Sequence, residues 1–238
     1  MLFAEELRKE QGRGRRKTTL VHDVTLEIGT RTALGIVGAA PDSGASALAK
    51  MLAGLEAPSS GEVRLCSASV AQLLRTPAGR KSFRRRVQYL GSGVATSFDS
   101  RRTLAEAVSA PLKTLRGMHA EAEIKERLVT VADELGLEAA WYQIHSTHLS
   151  PEELHRFALA RALAVEPDVL VLDSFGTDLS ECSYAELMGV VRRLAEDREF
   201  GLVCVDRSTP AVYPYVREVL VMEAGRIVHR QEVTPVRV

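Results

Sequence analysis

Two runs, "VLVLD" (169–173) and "GLVCVD" (201–206), constrain the fold more than any other feature of the chain. Both are apolar nearly throughout, so neither suits a sheet with one face in water. Strands of that kind are buried on both faces, the environment of a parallel sheet covered by helices. Further apolar, β-branched runs recur as "LVHDVTLEI" (20–28), "TALGIV" (32–37), "EVRLC" (62–66), "VQYL" (87–90), "REVLVM" (217–222) and "RIVHRQ" (226–231). Helical patterns separate most of them, and the alternation predicts an α/β sheet with helices on its faces. From about Ser97 to Trp141 the strand signals stop. Helical stretches such as "TLAEAVSAPLKTL" and "HAEAEIKERLVTVADELGL" take over, which predicts a helical insertion within the sheet topology.

Composition narrows the partners. Lysine and arginine number 31 and aspartate and glutamate 31, so the formal net charge is zero and no general pull toward nucleic acid or anionic lipid is expected. The one basic run, "RGRRK" at Arg13 to Lys17, has no aromatic partners and reads as a solvated loop. With 45% hydrophobic and 26% charged residues the make-up is that of a soluble globular protein. No apolar run approaches the roughly 20 residues that span a bilayer, and the opening "MLFAEELRKE" lacks the apolar stretch of a secretory signal. The membrane is therefore expected to be reached only through a partner. Cys66, Cys182 and Cys204 are far apart, odd in number and without CxxC spacing, which argues against a disulfide framework, a zinc site or an iron–sulfur cluster. They are expected to be reduced, mostly buried thiols of a cytosolic protein. His145 and His148 in "HSTH" have no third ligand nearby and read as loop residues.

The stretch "LGIVGAAPDSGASALAKMLAGLEAPSSGEV", Leu34 to Val63, has a strand ending in Ile36–Val37, then glycines, then a hydroxyl residue entering an alanine-rich helix. That is the layout of a phosphate loop, GxxxxGK[ST], in which backbone N–H groups at a helix N-terminus bind phosphate, the lysine reaches the outer phosphates and the hydroxyl holds magnesium. Gly38, Gly44 and Ser46 are in place, but Ala45 stands at the lysine position and one extra residue separates the glycines. Pro41 removes a donor, and Asp42 puts a negative charge where an anion would sit. The positions left to hold nucleotide are Gly38, Gly44, Ala45, Ser46 and Ala47.

Farther on, "LSPEELHRFALARALAVEPDVLVLD", from residue 149, resembles the signature helix and Walker B strand of ATP-binding-cassette (ABC) transporter ATPases, and "LAKMLAGLEAPSSGEV" resembles the segment after their Walker A loop. "YVREVLVMEAGRIV" is similar to the family's closing strand pair. "SFRRRVQYL", followed by "SFDSRRTLAEAVSAPLKTL", resembles the Q-loop region of the dipeptide, oligopeptide and nickel importer branch. The resemblance runs from about residue 18 to 232 in the family's own order, and the short tail "EVTPVRV", without a cysteine-bearing extension, places it nearest the nickel importers.

The resemblance implies a P-loop, RecA-like α/β core with an antiparallel β region and a helical signature subdomain: one domain over 1–238, with the helical part at 97–160. It implies ATP and magnesium as cofactors, a second cassette subunit and a permease as partners, and a cytoplasmic place at the inner face of the cell membrane. The chemistry departs from it. The adenine-stacking aromatic falls near Gln11, the Q-loop glutamine on Ser92, the water-activating glutamate on Ser174, the D-loop aspartate on Ser180 and the switch histidine on Arg207. The signature, LSGGQ in the family, is "LSPEE" from Leu149 to Glu153. Ser150, Pro151 and Glu153 make a capping box, with Leu154, Phe157, Ala158, Ala162 and Val165 on the buried face. Of the family's contacts, Ser150 in the signature and the magnesium positions Ser46 and Asp173 survive. Losing the lysine and gaining Asp42 forfeits contacts of about 1.5–3 kcal/mol each. The expectation is weak or absent, magnesium-assisted ATP binding with a dissociation constant near or above about 1 mM. Hydrolysis is not expected, since loss of a general base alone costs about 10²–10⁴ in rate. The expected role is a non-hydrolysing subunit paired with an intact cassette; the alternatives are a scaffolding or regulatory protein that uses the fold without nucleotide, and an active transport ATPase.

Overall fold

A computed structural model describes residues 1–12, 17–94, 97–99, 101–138 and 143–234. Arg13–Arg16 of the basic run, 139–142 at the end of the helical stretch and the tail residues 235–238 lie outside them. In chain order the strands are β1 (Leu2–Gln11), β2 (Thr18–Ile28), β3 (Ala33–Val37), β4 (Ser60–Leu65), β5 (Ala68–Ser69), β6 (Val87–Leu90), β7 (Val169–Asp173), β8 (Gly201–Asp206), β9 (Glu218–Glu223) and β10 (Arg226–Glu232). The helices are α1 (Ala45–Leu52), α2 (Val70–Leu73), α3 (Pro77–Arg86), α4 (Leu104–Pro111), α5 (Glu121–Glu134), α6 (Pro151–Leu163), α7 (Glu181–Asp197) and α8 (Thr209–Val212).

The strands form two sheets. One has six strands in the order β10-β9-β3-β8-β7-β6, with β6, β7, β8, β3 and β9 mutually parallel and β10 antiparallel at one edge. The other is a four-stranded antiparallel sheet, β2-β1-β4-β5. The fully apolar runs behave as their composition requires. Val169 and Val171 of β7 and Val203 and Val205 of β8 point into a core that also holds α1 and the inner face of the antiparallel sheet. Leu170, Leu172, Leu202 and Cys204 point the other way, into a core built with α4, α5, α6 and α7. All eight are at most 4% exposed, and each such apolar side chain contributes about 1.5–3 kcal/mol by leaving water.

Besides the two-residue β5, β1 is the strand that apolar alternation does not predict. Its apolar positions fall at Leu2, Ala4 and Leu7, not at strict alternation, because the register with β2 slips between Ala4 and Leu7. Glu6 sits in that slip with a φ of 48°. A bulge of this kind rotates the following residues by one position, so the period-2 signal is lost although Leu2, Ala4 and Leu7 are all buried.

The stretch after Phe98 is largely helical, and α4 and α6 in it start at side-chain caps. Thr103 and Glu106 close a capping box on α4, which runs past Pro111 into a π-helical turn over Leu112–Arg116. Ser150 and Glu153 do the same for α6: the Glu153 amide donates to Ser150 Oγ at 3.3 Å and the Ser150 amide to Glu153 Oε2 at 2.7 Å. At the other end of α6, Arg127 donates to the carbonyls of Ala164 and Leu163, both at 3.0 Å, and Arg198 to Leu163 at 3.3 Å. Cations thus meet the negative end of the helix dipole. Leu154, Phe157, Ala158, Ala162 and Val165 are all buried. No helix among the described residues is long and apolar enough to cross a membrane.

The cysteines correct the sequence reading. Only Cys204 is buried; Cys66 and Cys182 are exposed. Cys66 occupies a turn with a φ of 54°, where its sulfur accepts from Arg86 at 3.4 Å and lies 4.0 Å from the terminal amine. The Arg86 hydrogen bond holds its thiol below the ordinary range, whereas burial pushes Cys204 up to about 12. Reactivity follows the thiolate. Iodoacetamide at about pH 7.5 should therefore alkylate Cys66 while Cys204 stays unmodified in the folded chain, and Arg86→Met should slow the Cys66 reaction several-fold. Peptide mapping after timed quenching reads both effects; equal labelling of Cys66 and Cys204 would refute the assignment.

Candidate functional site

The carboxyl ends of β3, β7 and β8 and the start of α1 meet at one place, where an open α/β sheet ordinarily builds its site. β3 leads into the glycine-rich loop. Gly38 donates its N–H to Asp206 O at 2.9 Å, tying the loop to the end of β8. The extra residue between the glycines is absorbed in a β-turn, with Ser43 N donating to Ala40 O at 3.0 Å. Pro41 is the second residue of that turn, where its fixed φ is an advantage and its missing N–H costs nothing. Residues 39–42 are exposed, whereas Ser43, Gly44 and Ala45 are buried.

Ser43 folds back inside the loop. A Cβ on Gly38 would lie 2.1 Å from Ser43 Oγ, and Ser43 Oγ accepts a weak bond from the Ala45 amide at 3.4 Å. One backbone donor of the loop is therefore turned onto the chain's own hydroxyl. The loop is also pinned from outside: Gly225 donates to Ser43 O at 2.9 Å, and Gly44, with a φ of 88°, lies against the Leu20 carbonyl.

Ser46 and Asp173 come together. The Ser46 hydroxyl donates to Asp173 Oδ1 at 2.8 Å, and Asp173 is 5% exposed at the end of β7. The second carboxylate oxygen is taken by a residue that the sequence reading misses: Tyr89 of β6 donates its phenol to Oδ2 at 2.8 Å. Burial first, then the hydrogen bond to Asp173, pushes the Tyr89 phenol far above its ordinary value, so it remains a donor. The available signal is a tyrosine in an otherwise short apolar strand, "VQYL", whose polar tip needs a partner that the sequence does not name.

The other expected positions are spread around this pair. Ser174 follows Asp173 with a φ of 52°, its N–H donating to Val205 O at 2.9 Å. Ser92 and Arg207 are exposed, and the Arg207 amide donates to Asp206 Oδ1 at 2.7 Å. Gln11 is exposed at the end of β1. Ala45 is buried and Ala47 partly so in the first turn of α1. Ser150 is engaged in the first turn of α6, donating to Glu153 Oε2 at 2.7 Å while accepting from the Glu153 amide. Ser180 caps α7, accepting from Ser183 N at 3.1 Å.

A buried histidine ties two of these segments. His155, 1% exposed on α6, has Nδ1 2.7 Å from Pro151 O and its ring edge-to-face with Phe175 at 4.7 Å. Its Nε2 faces Asp178 Oδ1 at 3.3 Å, within ion-pair reach but without an aligned hydrogen bond. Ser46 and Asp173 are hard oxygen donors of the kind magnesium takes, and when bound the metal neutralises phosphate charge. The donor set fits that ion in type, but each Asp173 oxygen already accepts from a hydroxyl of the chain.

Comparison with known proteins agrees with this architecture. The sequence model of a family described as "ABC transporter" matches residues 21–175. The nickel import ATP-binding protein NikE of Pseudomonas putida is 29% identical over 211 residues, covering 89% of this chain and 76% of that protein. NikE of Brucella abortus is 30% identical over 212 residues, covering 89% and 78%. Among solved structures, the dimeric bacterial ABC transporter cassette MJ0796 superposes with a TM-score of 0.86 at 20% identity, covering 99% of this chain and all of that one. The match over most of the chain, with the sheet order and the loop-to-helix junction described above, means that this chain belongs to the ABC transporter family.

Proposed function

We propose that this chain is the ATP-binding-cassette subunit of a nickel or peptide importer in which it does not itself hydrolyse ATP, pairing with an intact cassette subunit and docking on the permease. The observation that carries the proposal is Ser174. At the position where the resemblance expects the water-activating glutamate, the residue after Asp173 offers only a hydroxyl, and a hydroxyl is too weak a base to take a proton from water near neutral pH. The substrate class comes from the similarity to proteins named for nickel import. In this reading the chain is one cassette domain with its helical part at 97–160, lies at the cytoplasmic face of the membrane through the permease, and takes no nucleic acid. Asp42 and Ala45 leave the loop without counter-charge, so ATP is held weakly.

A second reading, a scaffolding or regulatory protein that uses the fold without nucleotide, draws on the Ser43 hydroxyl turned onto the Ala45 amide. The readings separate on one set of measurements. Under the first, the chain co-purifies with an intact cassette and permease subunits, releases phosphate no faster than a blank, and binds ATP by calorimetry with a dissociation constant near or above about 1 mM, some −4 kcal/mol. No heat of binding with assembly intact favours the scaffold. Phosphate release that disappears in Asp173→Ala would make the chain an active ATPase and sink both.

A further inference from the structure

We propose that α3 touches the membrane itself: the basic face formed by Lys81, Arg84 and Arg85 rests on the anionic lipid headgroups of the cytoplasmic leaflet. The inference rests on the reading that the chain sits against the membrane at a permease, and it adds to that placement a direct contact with lipid. Zero net charge conceals a local excess. Between Pro77 and Arg86, α3 carries Arg80, Lys81, Arg84, Arg85 and Arg86 and no acidic residue. Two of these cations serve the fold: Arg80 donates to the Leu74 carbonyl at 3.0 Å, and Arg86 to Asp168 Oδ2 at 2.6 Å. Lys81, Arg84 and Arg85 are exposed, and among the described residues none of them is in an ion pair. The residues outside the described ones include no aspartate or glutamate to answer them. By contrast, the exposed Arg31, Arg217 and Arg230 are answered by Glu199, Glu196 and Glu218.

Helix stability does not call for this arrangement. Cations in the last turn complement the helix dipole, and Arg86 already supplies one there. Lys81 lies three and four residues before Arg84 and Arg85, so their charges share one side of the helix, and like charges four apart repel. Phe83, 1% exposed, turns the opposite side inward under Gly54, where a Cβ would lie 2.7 Å from Phe83 Cε1. It is the only aromatic of α3, so its burial leaves the basic face without a ring on which bases could stack. The positive surface continues onto the neighbouring helical part. Lys81 Nζ lies 3.7 Å from the Cβ position of Gly117, which closes the π-helical turn, and Arg84 lines a groove of about 410 Å³ with Arg102 and Arg161. The groove's one carboxylate, Asp99, already holds Arg101 at 3.1 Å. Separate, exposed cations on the outside of a helix suit a flat surface of many phosphates, not a single small anion. The cytoplasmic leaflet is such a surface, and its attraction for each lysine or arginine fades within a Debye length.

The test floats the full chain, without nucleotide or permease, on vesicles of phosphatidylcholine alone or of phosphatidylcholine with phosphatidylglycerol. Binding should require phosphatidylglycerol and weaken at least about tenfold between roughly 50 and 300 mM salt. Lys81→Gln/Arg84→Gln/Arg85→Gln should lower the partition coefficient on the order of 100-fold, and Arg84→Lys/Arg85→Lys should stay within about threefold of the parent, since the surface reads charge. Arg31→Gln/Arg217→Gln/Arg230→Gln removes as much charge from elsewhere and should also stay within about threefold. No binding to phosphatidylglycerol vesicles, equal binding to both kinds, or equal losses in the two glutamine variants overturns the inference. A duplex oligonucleotide that strips the protein from the vesicles at equal phosphate concentration would assign the face to nucleic acid, and overturns it too. Circular dichroism melts check folding; if the triple variant does not fold, Lys81→Gln/Arg85→Gln decides, with a loss of at least about tenfold expected. Co-purification with permease subunits tests the underlying reading separately, since vesicle binding by the chain alone is scored whether or not that assembly is found.

Discussion

Gly44→Ala is expected to destabilise the chain by about 3–5 kcal/mol, a large part of the stability of an ordinary domain. Gly44 precedes α1 with a φ of 88°, where a Cβ adds about 1–2 kcal/mol of strain. The new methyl group would also lie 2.0 Å from Leu20 O and 3.1 Å from Gly225 Cα. Both are backbone atoms, so relief requires moving β2 or the β9–β10 turn, not a side-chain rotation. His22 donates to Gly225 O at 2.8 Å and Gly225 to Ser43 O at 2.9 Å, which locks those elements to one another. The glycine is thus needed by the architecture, whatever the loop binds. Urea unfolding of the variant against the parent measures the loss; a change below about 1 kcal/mol would mean that the junction yields easily.

The second large effect is catalytic. Ser174→Glu alone should leave ATP turnover at the level of a blank, on the order of 10⁴ or more below a cassette with its full set of groups. A glutamate at this position would inherit a φ of 52°, and the residue's amide is committed to Val205 O. It would also face a loop without a lysine, with Ser43 inside it and Asp42 at its rim. Groups that act as a unit are strongly non-additive, so restoring one member recovers little. Phosphate release by Ser174→Glu above the blank and lost on Asp173→Ala would show that the loop already holds ATP productively.

Much of the fold could be read from the sequence because its signals were thermodynamic. β7 and β8 announce themselves because both their faces exclude water, and α6 because Ser150 and Glu153 satisfy each other's backbone donors locally. β1 was missed because the slip at Glu6 rotates the side-chain alternation partway along the strand. In the loop, Pro41 and Asp42 look from the sequence like obstacles to an anion, but in the fold they are first of all the centre of a β-turn that accommodates the added residue. Tyr89 escaped because nothing in "VQYL" says which strand lies beside it; only the pairing of β6 with β7 brings the phenol to Asp173. The two exposed cysteines obey the same rule, since average burial of a residue type does not fix the environment of one turn.

β7 and β8 carry a consequence for how the chain comes apart. Each strand gives alternate side chains to two separate cores, Val171 and Val203 to one, Leu170 and Leu202 to the other. Neither core can be hydrated while its neighbour stays intact without stripping one whole face from both strands. The antiparallel sheet on one side and α4–α7 on the other are therefore expected to melt together as one cooperative unit.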